Sequence, residues 1–183
     1  MKRLFLEFPY RQKVLLIVCI SVGLLILFCS ATNLLSFEII NTVIFFYSFS
    51  LPFLFLGFST ILDLNNNKTF IIWLLLSILL LLISFATHDM DKFIIHRSAK
   101  FYPSSGINSF MNTHSTSSLK SLFFFLIVYW ILNFLLKKST GNCIVNTFRQ
   151  VSWYNSEARR RMTGVDVLSN IILVIIIFWS VLF

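Results

Sequence analysis

The chain reads as an all-α integral membrane protein with about five transmembrane helices, four at the fewest. Two observations predict this. The sequence is 57% hydrophobic and only 12% charged over 183 residues, with a mean hydropathy of +0.86; soluble domains carry about 25% charged residues. The apolar residues are also gathered into long continuous runs. They show none of the in–out alternation that a membrane β-barrel strand needs over about ten residues.

Five runs stand out, at about 14–30, 39–62, 70–86, 121–137 and 165–183. A helix crossing about 30 Å of hydrocarbon needs about 20 residues. The first and third runs meet this closely, and the second is long enough to tilt or kink. The fourth and fifth suffice only with flanking residues such as Ser121 and Val165. A cleaved signal peptide is disfavoured for the first run. Glu7 and Pro9 stand in its basic leader, and the run exceeds the usual 7–15 apolar residues.

Basic residues set the expected orientation. Lys2, Arg3, Arg11, Lys13, Lys68, Lys137, Lys138, Arg149 and Arg159 to Arg161 fall on one side. Lys92, Arg97, Lys100 and Lys120 fall on the other. Eleven against four places the N-terminus in the cytoplasm and, with five spans, the C-terminus outside. The expected setting is a bacterial inner membrane, with an organellar inner membrane as the weaker alternative. The net charge of +8 is therefore read by position and not as a nucleic-acid signal.

Within the spans the polar residues are uncharged. Asn41, Ser48, Pro52 and Gly57 mark the second, Asn133 the fourth and Asn170 the fifth. They suit helix packing, or a gate around the kink that Pro52 imposes by removing the bond to the Ser48 carbonyl. No ionisable residue lies mid-span, which argues against proton-coupled transport. There is no G-x-S-x-G, H-E-x-x-H or P-loop pattern, so an enzyme is not expected and no cofactor is implied.

Residues 88–120 form the expected extracytoplasmic loop. Met90, Phe93 and Ile94 recur at helical spacing, suggesting a short surface helix ended by Tyr102-Pro103. His88, His96 and His114 with Asp89 and Asp91 match no common metal-ligand spacing, so no metal site is expected. Cys19, Cys29 and Cys143 form no framework; the first two are about 15 Å apart on a helix.

The basic cytoplasmic loop spans 138–164. Ile144, Phe148, Val151, Ala158 and Met162 share a helical face, which predicts an amphipathic interfacial helix over about 143–162. Arg149, Trp153, Tyr154, Arg159, Arg160 and Arg161 are its candidate contacts with lipid or a partner. Thr163-Gly164-Val165-Asp166 has the capping-box spacing, with Thr163 expected to accept from the Asp166 amide and start the last span.

The layout is similar in outline to small membrane subunits of bacterial signalling and anti-phage operons. That similarity implies a non-enzymatic subunit that contacts membrane lipids, self-associates, or docks a cytosolic or membrane protein through 142–165, in response to an external event. An oligomeric channel around the Pro52 helix and an accessory subunit of a large respiratory or secretion complex are the alternatives. Direct nucleic-acid binding is disfavoured, since one basic cluster is a weak footprint.

Overall fold

The computed structural model describes residues 10–32, 37–57, 64–98, 117–144, 154–155 and 160–182. Among the described residues five α-helices follow in chain order: α1 (Tyr10–Ala31), α2 (Phe37–Gly57), α3 (Asn67–Ser98), α4 (Ser121–Thr140) and α5 (Gly164–Leu182). A 3₁₀ turn, Ser117–Lys120, leads directly into α4. The architecture is that of an all-α membrane protein. Among the described residues, Ile39–Leu56, Asn67–Phe85 and Ser118–Thr140 are long and apolar enough to cross a membrane, and Gly164–Ser180 is a shorter apolar helix. In hydrocarbon only a helix satisfies every backbone group within its own segment, which is why such runs take this form.

The helix ends obey local chemistry. The Asn66 side chain accepts from the Lys68 amide at 3.0 Å and caps α3. Gly141, at φ 73°, closes α4 in the left-handed conformation and donates its N–H to the Lys137 carbonyl. Lys137 and Lys138 fall in that last turn, where the helix dipole favours positive charge.

The core lies among α2, α3, α4 and α5. Trp73 is fully buried, edge-on to Phe55 at 5.0 Å between ring centroids, and Phe55 in turn meets Phe125 at 5.8 Å. Phe178 of α5 packs on Phe49 and Phe53 of α2. By contrast, α1 attaches by a single seam: Gln12, Leu16, Cys19 and Ile26 are buried, while Ile17, Val18, Leu24, Leu25 and Phe28 are exposed. Spacings of four and three residues are those of a narrow helix–helix seam. Within it, the Tyr47 hydroxyl donates to the Cys19 carbonyl at 2.8 Å. A Cβ on Gly23 would stand 3.1 Å from that hydroxyl oxygen, so glycine leaves room for the tyrosine.

Two expectations are corrected. The third helix does not stop near residue 86 and yield to a separate surface helix; it runs unbroken to Ser98 through Met90, Phe93 and Ile94. No proline or glycine lies between Asn67 and Ser98 to end it. The described part of 143–162 is also not helical. Cys143 and Ile144 have no regular structure, and Tyr154–Asn155 pairs antiparallel with Arg160–Arg161. Tyr154 opposes Arg161 and Asn155 opposes Arg160. Aromatic residues such as Tyr154 favour strands; residues 145–153 and 156–159 lie outside the described residues.

Trp73 supplies a stability test. Trp73→Ala should lower stability by about 3–5 kcal/mol, read as a fall in the thermal midpoint of the detergent-solubilised protein. Trp73→Phe should be distinctly milder, because the buried indole N–H has no hydrogen-bond partner to lose.

Candidate functional site

The most polar point inside the apolar bundle is built on Pro52. Proline has no N–H, so the carbonyl of Ser48, one turn earlier, loses its helical donor. A buried carbonyl in hydrocarbon must find another. It does: the Ser121 hydroxyl, from the first residue of α4, donates to the Ser48 carbonyl at 3.0 Å. The Ser48 hydroxyl itself bonds back to the Ile44 carbonyl and meets the hydroxyl of Ser118. Since Ser48 has one proton, a consistent chain has Ser118 donating to Ser48 and Ser48 to Ile44. Ser48, Ser118 and Ser121 are all fully or almost fully buried. The break in α2 is thus stitched to the start of α4 by hydroxyls seventy and more residues away in sequence.

The remaining candidates of the spans divide. Asn41 is buried, and its Nδ2 has no hydrogen-bond partner. Gly57 is the last residue of α2. Asn133 accepts the Ile144 amide at 2.9 Å, folding the chain back onto α4 just after the Gly141 cap. Asn170 donates to the Asp166 carbonyl at 2.7 Å within α5. Asn41, Asn133 and Asn170 therefore do not converge with the Ser48–Pro52 cluster into one site.

A second polar layer ties the opposite ends of the helices. Thr69 of α3 donates to Gln12 of α1 at 2.9 Å, and Tyr129 of α4 donates to Asn65 before α3 at 3.1 Å. These pairs were not singled out by sequence reasoning, because each joins residues more than fifty apart.

Thr163 and Asp166 do meet at the start of α5, but the bonds run differently from the expected ones. The Thr163 amide and hydroxyl both donate to Asp166 Oδ2, at 2.9 and 2.7 Å. The Asp166 amide bonds the backbone carbonyl of Thr163, not its hydroxyl. The carboxylate is fully buried and lies at the positive end of the helix dipole.

Of the basic segment, Tyr154, Arg160 and Arg161 belong to the antiparallel strand pair. Arg149, Trp153 and Arg159 lie outside the described residues, as does His114. Among the described residues no group of three His, Cys, Asp or Glu side chains could hold a metal ion. Ser48 and Ser121 bond backbone carbonyls, and Ser48 meets Ser118, so this arrangement holds helices together.

No protein family matches the chain, and no curated protein or solved structure is significantly similar to it. Geometry and sequence are the grounds for any functional reading.

The proline stitch generates a coupled prediction. Ser121→Ala should destabilise by about 1–3 kcal/mol, since it leaves the Ser48 carbonyl unsatisfied. In a Pro52→Ala background, where residue 52 regains its N–H, the same change should do little. The difference between the two backgrounds is measured by a double-mutant cycle on unfolding in detergent. Additive effects would show that Ser121 does not serve the proline break.

Proposed function

We propose that the chain is a non-enzymatic multi-pass membrane subunit with its N-terminus in the cytoplasm. It self-associates or docks a cytosolic partner through the basic segment 142–165, as the membrane component of a bacterial signalling or defence system that responds to an external event. One observation carries the reading. The segment is pinned at both ends to the same pair of packed helices, by Asn133 with Ile144 on α4 and by Thr163 with Asp166 on α5. Between these anchors stand Arg160 and Arg161, paired to Tyr154 and Asn155. A basic segment tethered at both ends loses less freedom on docking than a free one, as a docking surface requires.

The second reading is an oligomeric channel around the Pro52 helix. It is favoured by the hydroxyl cluster of Ser48, Ser118 and Ser121 inside an otherwise apolar bundle. Burial of that cluster within one protomer speaks for the first reading, because a pore needs polar groups that water can reach.

Two measurements test the proposal. Changing Arg159, Arg160 and Arg161 together to Glu should abolish co-purification of a partner while membrane insertion persists; unchanged co-purification, or no partner with the native chain, counts against docking. Orientation is read from Cys143, which is part-exposed just beyond α4. In a Cys29→Ser background a membrane-impermeant maleimide should label Cys143 in inverted vesicles and spare it in intact cells. Labelling in intact cells would reverse the topology.

A further inference from the structure

Helix α4 is held by a polar joint near each end. At its head the turn Ser117–Lys120 lies against α2, α3 and α5, with Ser118 and Leu119 buried. There Ser118 meets the Ser48 hydroxyl, and Ser121 donates to the Ser48 carbonyl. From Ser121 to Asn133 the helix rises about 18 Å. At that inner end Asn133 accepts the amide of Ile144 at 2.9 Å and holds the start of the basic segment.

The helix between the joints is stiff. It has no glycine or proline from Ser121 to Thr140, and Gly141 closes it only past its last turn. Its buried side chains between the joints are Leu122, Phe125, Leu126 and Tyr129. Apolar packing of this kind is non-directional, whereas a hydrogen bond weakens steeply when its geometry is lost. Among the described residues the axial position of α4 is therefore set by its polar contacts. These are Ser48 at the head, Asn65 on Tyr129 further along, and Ile144 on Asn133 at the inner end.

We propose that α4 is a conformational coupler: opening of the joint of Ser118 and Ser121 with Ser48 at its head loosens Asn133 from Ile144 and frees the start of the basic segment. The closed form is the arrangement described above. The open form leaves one carbonyl unsatisfied and parts only neutral hydroxyls, so it is a minor state within reach of a modest bias. A stiff helix transmits the shift because it cannot absorb it by bending. The device regulates the segment that the docking reading invokes and rests on that reading for its purpose. Coupling is measured without a partner, so docking and coupling fail separately.

Hydrogen–deuterium exchange of the full chain in detergent, read at the Ile144 amide, tests the coupling. Ser118→Ala combined with Ser121→Ala should speed exchange at Ile144 about ten-fold over the native chain, through more frequent local opening. Asn133→Ala, which removes the acceptor directly, marks the upper limit. Gly23→Ala controls for general loosening: its Cβ would stand 3.1 Å from the Tyr47 hydroxyl oxygen and disturb the α1 seam, away from α4. That variant should leave Ile144 at the native rate. Native exchange at Ile144 in the serine variant overturns the proposal, as does an equal rise in Gly23→Ala. If the double variant does not fold, Ser121→Ala alone is measured; faster exchange at Ile144 is again expected, and the native rate again overturns the proposal.

Discussion

The bundle depends on one missing hydrogen. Pro52 deprives the Ser48 carbonyl of its donor in the middle of a helix surrounded by apolar groups, where no water can substitute. An unsatisfied group there costs on the order of the stability that a whole packed side chain provides. The solution is not local. Ser121 reaches that carbonyl from the head of α4, and Ser118 takes up the hydroxyl of Ser48 itself. The turn Ser117–Lys120 is consequently held against α2 at a fixed depth, and α4 begins where the proline needs it to begin.

The opposite end of the bundle is fixed by different means. Gln12 with Thr69 and Asn65 with Tyr129 bond across helices, and Asn133 recaptures the chain after the Gly141 cap. Each uses a polar group near a helix end, where the alternative partner is water and the net gain is small. Their value lies in alignment: they set α1, α3 and α4 in register while aromatic contacts among Phe55, Trp73 and Phe125 supply the packing. Seen this way, the single seam of α1, locked by Tyr47 on the Cys19 carbonyl, is the lightest attachment in the structure. Much of the surface of α1 is exposed and apolar.

What could be read from the sequence was what is local. Helix existence was legible, because continuous apolar runs of this length have few other solutions. The Thr163–Asp166 cap was legible because its partners are three residues apart, although which atoms donate depended on the carboxylate turning toward the Thr163 amide. Pro52 was legible as a defect. Its remedy was not, since Ser121 and Ser48 are joined only by the fold. Two misreadings have physical causes. Spacing suggested a surface helix at Met90 to Ile94, but nothing in the intervening residues stops α3, and a helix without a stop signal continues. Spacing also suggested a helix through 143–162. Five apolar positions spread over nineteen residues fit several periods, and Tyr154, an aromatic residue, carried a local signal for the strand that pairs with Arg160–Arg161.

Among the described residues, charge stands where water or hydrogen bonds can receive it. Lys68, Lys137 and Lys138 stand at helix ends, exposed. Asp166 is buried but receives two hydrogen bonds from Thr163 and the field of its own helix. Lys120 is half-exposed, carried by the turn whose position Ser118 and Ser121 fix to satisfy the proline break.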